Sequence, residues 1–292
     1  MAVYEQGKGE PVVLLHGFPE LAYSWRHQMP ALADAGFRAI APDQRGYGKT
    51  TAPADVADYG ISQLIADIHG LLDALELESA TFIGHDWGAL VLWQMAMLAP
   101  ERIDKLVILN IPHFPRSPTD PIEIMRARFG NDFYIVNFQD SDEADRVFGN
   151  DPRHFINYMM RKNQLTREQF EKLPPQYQVV SLLRQTRAEH ANGDALLSDE
   201  ELDYYAAGFG QSGFTGPISW YRNWTQNWEQ LEGIDQQIDI PTLFLGATND
   251  VLIGLQHIEA MKPLVNDLTI HMLECGHWTQ QERPDDCLLY TS

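Results

Sequence analysis

The chain has 292 residues, 44% of them apolar, and carries 21 Lys and Arg against 41 Asp and Glu, a formal net charge of −20. At ~150 residues per domain, this length holds one large domain or two modest ones with a packed core. The negative balance excludes a nucleic-acid backbone or an anionic membrane surface as partner, because both would be repelled.

The first 110 residues alternate short apolar runs with amphipathic stretches. Residues 12–15 are apolar, end at His16-Gly17 and read as a strand; 25–35 has helical spacing; 37–41 reads as a strand before Pro42-Asp43. Residues 61–77 predict a long helix with Ile61, Leu64, Ile65, Ile68, Leu71, Leu72 and Leu75 on one face. A strand over 80–84, a helix over 89–98 and a strand over 105–111 follow. Such alternation predicts a parallel sheet covered on both faces. From about 115 to 230 the chain is polar, charged and helical, which predicts an inserted domain. Strand 242–246, helix 255–261 and strand 268–273 resume the α/β pattern. The expected division is therefore a core of 1–112 and 234–292 with a helical insert of 113–233. There is no internal repeat, and the acidic run 140–145 reads as a solvated loop.

The most informative segment is Gly84-His85-Asp86-Trp87-Gly88, where a strand ends and a helix begins. Small residues on either side permit the sharp turn that lifts a central side chain clear of the sheet, the geometry of a nucleophile elbow. An isolated Asp at a helix start is most simply an N-cap; the two glycines and the preceding strand favour the elbow. The centre is Asp86 rather than Ser, and a carboxylate is ionised at neutral pH without help from a base. It suits displacement at an sp³ carbon and yields an ester on Asp86. Attack on a peptide or an ordinary ester would give only an anhydride.

His16-Gly17-Phe18-Pro19-Glu20 follows the first confident strand. Its Phe18 N–H and the Trp87 N–H are candidates for an oxyanion hole. Asp250 and His277 both follow predicted strands, so both are expected at the same sheet edge as Asp86. The order nucleophile, acid, histidine is the chain order of one triad architecture, with His277 as base for water and Asp250 as its orienting partner.

On these segments the chain resembles the α/β-hydrolase superfamily, and within it the epoxide hydrolases, over nearly its whole length. The resemblance implies an α/β-hydrolase fold with an inserted helical cap. The loop at His16 and the elbow at Asp86 are similar in haloalkane dehalogenases. The insert discriminates. Ser212-Gly213-Phe214-Thr215-Gly216-Pro217-Ile218-Ser219-Trp220-Tyr221-Arg222-Asn223 is similar to the epoxide hydrolase cap segment that carries a tyrosine, which maps onto Tyr221. Tyr134-Ile135-Val136-Asn137-Phe138-Gln139 resembles the other tyrosine motif and maps onto Tyr134. An opening epoxide develops alkoxide character and needs a donor, which a phenol supplies; a departing halide needs no proton.

Other features read more simply. Trp220, Trp224 and Trp228 recur every fourth residue, as for one packed helical face. Phe138, Trp278 and His113 are expected to line the substrate site. His154, His190, His257 and His271 show no ligand spacing, and no metal or other cofactor is expected. Cys275 and Cys287 are the only cysteines, too few for a disulfide framework or a structural zinc site, and Cys275 reads as a small packed residue. The start lacks the layout of a signal peptide, and no apolar run reaches the ~18 residues of a membrane span. A cytoplasmic setting is the expectation.

The resemblance weakens at the ends. Little precedes the strand near Val3, and after a helix start at Glu282-Arg283-Pro284-Asp285-Asp286 the residues 287–292 show no amphipathic period. They read as a truncated end, expected to leave apolar sheet surface uncovered and to lower stability or favour self-association, with a homodimer as one form.

The expected activity is conversion of a small apolar epoxide and water to a vicinal diol. A haloalkane or haloacid dehalogenase using Asp86, His277 and Asp250 is the first rival, and a non-catalytic binding protein the second. A serine hydrolase is excluded by the absence of a serine at an elbow.

Overall fold

The computed structural model describes residues 1–162, 165–174, 177–187 and 191–289. His190 and Tyr290–Ser292 lie outside them. The chain forms two compact units. The first comprises Met1–Gln44, Ile61–Pro115 and Gly233–Ser292; the second comprises Arg45–Gly60 and Arg116–Glu232.

The first unit is built on a sheet whose described strands are β1 (Ala2–Gly7), β2 (Pro11–Leu15), β3 (Arg38–Asp43), β4 (Ala80–His85), β5 (Ile103–Leu109), β6 (Thr242–Ala247) and β7 (Leu268–Leu273). Their spatial order is β1-β3-β2-β4-β5-β6-β7, and only β1 runs antiparallel to its neighbour, β3. The chain goes from β2 outward to β3, then returns to lay β4 on the other side of β2. The carboxyl ends of β2 and β4 therefore flank a topological switch point, where open α/β sheets form their crevice. Central strands are apolar on both faces: Val12 to Leu15 and Leu106 to Leu109 are all buried.

The helix Ile61–Ala74 buries Ile61, Leu64, Ile65, Ile68, Leu71 and Leu72, the predicted face, and ends before Glu76 takes a φ of 57°. The helix expected over 25–35 is shorter. A single turn at Ala22–Trp25 precedes a helix over Gln28–Asp34. Pro30 is the cause, since it has no N–H and its ring excludes a helical carbonyl four residues earlier. The helix Trp87–Leu98 is apolar nearly all round and packs against β4.

The helix start expected at 282–286 is present. Short helices form over Thr279–Glu282 and Pro284–Leu289, and Cys287 is completely buried in the cluster of Val12, Leu14, Trp25, Ala39 and Ala41. Burial of this one small side chain on the sheet needs no amphipathic period, which is why the sequence pattern was silent. Among the described residues no helix is long and apolar enough to cross a membrane.

The second unit is helical. Asp120, Asp151 and Ser198 each accept a bond from an N–H of the helix they start, and Ser198 with Glu201 makes a reciprocal capping box. Its core is aromatic: Phe148 stacks on Phe155 at 3.8 Å and Phe209 on Phe214 at 4.6 Å between ring centroids. Tyr47, from the loop Arg45–Gly60, packs edge-on to Trp220 at 5.6 Å, so this loop clusters with the helices although the sequence pattern groups it with the sheet.

Two expectations are corrected here. The three regularly spaced tryptophans do not share one helix face, because the chain breaks at Asn223 between the helices Thr215–Arg222 and Trp224–Gln230. Trp220 donates to the Arg45 carbonyl, Trp224 stacks on Tyr221, and Trp228 donates to the Ser117 carbonyl beneath the Arg116 guanidinium. The acidic run is not wholly solvated either. Asp145 is buried because Arg222 holds both its oxygens, at 3.0 and 2.7 Å.

Candidate active site

Asp86 stands between the last residue of β4 and the first of the helix Trp87–Leu98, with φ 52° and ψ −118°. A non-glycine residue reaches this region only when its surroundings hold it there, at a cost of about 1–3 kcal/mol. Close approach explains the neighbouring glycines. A Cβ on Gly88 would strike the Leu15 carbonyl of β2, and one on Gly17 would strike the Asp86 carboxylate. The Asp86 side chain makes no capping bond to its own helix, which removes the N-cap alternative. Its Oδ1 instead accepts the Phe18 N–H at 2.8 Å. Trp87 is the first residue of the helix, so its N–H belongs to the groups without an intrahelical acceptor.

His277 joins the two other predicted residues. Its Nε2 lies 3.6 Å from Asp86 Oδ2 and its Nδ1 2.8 Å from Asp250 Oδ2. Burial alone would lower the His277 pKa. The charge and hydrogen bond of Asp250 and the bond and charge of Asp86 outweigh burial and raise it well above 6.5. Burial would likewise raise Asp250, but the charge and hydrogen bond of His277, the Asn110 amide and the Leu252 N–H bring its pKa below 3.8. The three residues come from loops after β4, β6 and β7, all at the carboxyl edge of the sheet.

Several contributors were not assigned from sequence. Glu20 is wholly buried: its Oε2 accepts the Gly17 N–H at 2.9 Å and faces His85 Nδ1 at 2.7 Å, while Oε1 accepts from Gln280 at 2.8 Å and Gln281 at 3.2 Å. His85 Nε2 in turn donates to the His277 carbonyl at 2.8 Å. One carboxylate thus ties together the loop after β2, the elbow and the segment after His277. Burial opposes its charge, but His85 and the Gly17 N–H hold its pKa down at about 2. A lone acid in an apolar loop next to a glycine turn was the available signal. His16 takes the Gln44 N–H at Nε2, so its proton sits on Nδ1 and is donated to the Gly17 carbonyl. Burial lowers its pKa. Asn110 and Thr279 stand behind Asp250, with Asn110 Nδ2 3.0 Å from Asp250 Oδ2 and the Thr279 hydroxyl 2.6 Å from Asn110 Oδ1.

Of the residues expected to line the site, Trp278 is buried with its ring 4.9 Å from that of His277. His113 is buried against Trp93 at 5.3 Å, bonded to the Gln236 carbonyl, and burial lowers its pKa. Phe138 belongs to the second unit, where it is fully buried and meets Tyr134 at 5.7 Å and Tyr221 at 5.1 Å. Tyr134 and Tyr221 lie edge to face, 5.8 Å apart, on the helices Tyr134–Asp140 and Thr215–Arg222. These helices clasp each other reciprocally. Arg222 donates to the Phe138 and Ser141 carbonyls at 3.0 Å each, and Gln139 donates to the Tyr221 carbonyl at 2.9 Å. Among the described residues no group of three or more His, Cys, Asp or Glu is placed to hold a metal ion.

Comparison with known proteins agrees in family. The family described as alpha/beta hydrolase fold matches residues 10–284. Epoxide hydrolase A of Mycobacterium tuberculosis is 39% identical over 98% of this chain and 91% of that protein. Bifunctional epoxide hydrolase 2 of Sus scrofa is 36% identical over 96% of this chain, which spans 50% of that longer protein. The crystal structure of Epoxide Hydrolase A from Mycobacterium thermoresistibile superimposes with a TM-score of 0.88 at 40% identity, covering 99% of this chain and 92% of that one. With its parallel sheet, its aspartate at the elbow and these relatives, the chain belongs to the α/β-hydrolase fold family and, within it, to the epoxide hydrolases.

Proposed function

We propose that the protein hydrolyses a small apolar epoxide to a vicinal diol in two steps, with no cofactor. The observation that carries this reading is the Asp86 carboxylate on its raised elbow, with Oδ1 on the Phe18 N–H and Oδ2 beside His277, itself bonded to Asp250.

In the first step Asp86 Oδ2 attacks one oxirane carbon. A C–O bond to carbon forms as the ring C–O bond breaks, and the released alkoxide takes a proton from Tyr134 or Tyr221 while the other phenol donates a hydrogen bond. The product is an ester on Asp86. In the second step water attacks the Asp86 Cγ and gives its proton to His277 Nε2. The Phe18 and Trp87 N–H groups stabilise the oxyanion on Oδ1. Collapse breaks the ester bond, and the diol oxygen leaves with a proton returned from His277; the second water proton, released as the Asp86 carboxyl ionises, restores the phenol that protonated the alkoxide. Asp250 holds the imidazole and stabilises its charged form.

The order of events suits the electrostatics. With the contacts of Asp250 and Asp86 on its two nitrogens, His277 favours its charged form. Esterification removes the Asp86 charge, which lowers the proton affinity of His277 as its role as base begins.

The helical segment 113–233 is read as the cap that carries Tyr134 and Tyr221, with Phe138, Trp278 and His113 as lining groups. A cytoplasmic setting and a homodimer belong to the same proposal. The cytoplasm is supported by the two unpaired, buried cysteines, and equilibrium sedimentation would test the dimer. No observation favours the dehalogenase.

The test is intact-protein mass spectrometry of His277→Gln after incubation with styrene oxide and, separately, with 1-bromobutane. Expected is a mass gain equal to the whole epoxide, mapped to Asp86. A gain of the butyl group alone, with none from styrene oxide, would replace this reading by the dehalogenase.

A further inference from the structure

Asp250 serves more than the imidazole. Its Oδ2 lies 2.8 Å from His277 Nδ1 and 3.0 Å from Asn110 Nδ2, and its Oδ1 accepts the Leu252 N–H at 3.0 Å. The Asp250 carboxylate can only accept, so it sets the Asn110 amide with its NH2 inward, and Thr279 holds the other end. Its hydroxyl lies 2.6 Å from Asn110 Oδ1, and only an amide with NH2 toward Asp250 and oxygen toward the hydroxyl satisfies both contacts. The single hydroxyl proton is used there, so in the 3.5 Å contact between Cys275 Sγ and Thr279 Oγ1 the thiol is the donor.

Asn110, Thr279 and Asp250 are 1%, 0% and 1% exposed, so bulk water cannot replace a lost contact. Asn110 follows β5 with φ 66°, a left-handed conformation that Asn tolerates, while its N–H donates to the Leu245 carbonyl of β6. Thr279 follows His277 by two residues. The contacts therefore close a ring from His277 to Asp250, Asn110 and Thr279, and back along the chain to His277.

We propose that Asn110, held by Thr279, is a positioning residue for the hydrolytic step: it holds Asp250 in the rotamer that serves His277 and draws off part of the carboxylate charge. The proposal rests on the roles given above to Asp86, Asp250 and His277. A carboxylate that shares its charge with an amide donor retains the proton of a neighbouring imidazolium less strongly. With the amide gone, Asp250 presents more charge to His277, the imidazolium persists to higher pH, and less neutral imidazole is present to activate water. The charged or titratable groups around this loop are Asp250 after β6, Asp86 at the elbow, and His85, bonded to the His277 carbonyl with Glu20 behind it. Glu282 accepts the Gly276 and Trp278 N–H groups, and Cys275 and Arg283 flank the segment.

Asn110→Gly keeps the backbone conformation and deletes the amide. Thr279→Val keeps the shape and deletes the hydroxyl, and Thr279→Ser restores it. Rapid-quench mass spectrometry with styrene oxide separates ester formation from ester hydrolysis. For Asn110→Gly and Thr279→Val, ester formation should stay within about threefold of the unaltered enzyme. Hydrolysis near neutral pH should slow about tenfold, with its acid limb moved up by about one pH unit. Thr279→Ser should behave as the unaltered enzyme. Equal slowing of both steps with an unmoved limb overturns the proposal, as does unchanged hydrolysis in either folded variant. If Asn110→Gly does not fold, the two Thr279 variants decide. Absence of any ester in both the unaltered enzyme and His277→Gln overturns instead the reading of Asp86 on which the proposal rests.

Discussion

Glu20 Oε2 and His85 Nδ1 lie 2.7 Å apart with neither side chain reaching solvent. The pair joins the loop that carries Phe18 to the strand end that carries Asp86, and through the His277 carbonyl it also reaches the third loop of the site. Removing one member of such a buried pair costs about 3–5 kcal/mol, because the other is left without its partner. Glu20→Gln should lower the unfolding free energy by about that amount in urea titrations. The pKa of Glu20 falls from 4.5 to about 2 on folding. Its contribution to stability is therefore complete above 4.5 and disappears as pH falls toward about 2. Acid unfolding of the variant should lose this part of the pH dependence.

Gly88 faces the Leu15 carbonyl at the crossing of the elbow helix with β2, where an added methyl has no room. The nearest obstacle is backbone in a central strand, so relief requires moving the helix and Asp86 with it. Gly88→Ala should cost about 1–3 kcal/mol, read as a lower melting temperature, and should slow ester formation more than it weakens substrate binding.

Acidification should separate the two chemical steps. Of the groups that raise the His277 pKa, Asp250 keeps its charge and hydrogen bond in the ester, and an imidazole that is still charged cannot accept a proton from water. Hydrolysis should fall about tenfold per pH unit below the His277 midpoint of the ester, while ester formation, which needs no neutral imidazole, continues. The unaltered enzyme quenched with styrene oxide below that midpoint should carry the ester mass, and above it should not. As a folding contribution the same shift has the opposite sign to that of Glu20: it is present below 6.5 and fades as pH rises through the higher native value.

In the helical unit Asp145 accepts both terminal nitrogens of Arg222, next in sequence to Tyr221. Asp145→Ala would leave a guanidinium, with side-chain exposure of only 15%, without its carboxylate, at a cost of about 3 kcal/mol. The carbonyl bonds that Arg222 makes to the helix of Tyr134 would slacken with it. Thermal melting should show the loss, and rapid quench should show slower ester formation. Hydrolysis of an ester already formed should be unchanged, because it relies on the other unit.

Legible in the residues alone were the alternation of strand and helix, the glycine-flanked Asp86, the chain order of Asp86, Asp250 and His277, and the motifs of Tyr134 and Tyr221. These are local patterns: burial period, turn chemistry and spacing leave their mark in consecutive residues. The contacts of Glu20, His85, Asn110 and Thr279 become visible only once the chain is folded. Glu20 and His85 are 65 residues apart, Asn110 and Asp250 140, and Asn110 and Thr279 169, and such contacts depend on strand order rather than on local period. The same reason placed Asp145 against Arg222 instead of in solvent, and Cys287 in the core beside Val12 and Trp25. A charged or small side chain carries no sign of its distant partner in the residues beside it. The sheet topology that puts the ends of β2, β4, β5, β6 and β7 along one edge supplies that partner.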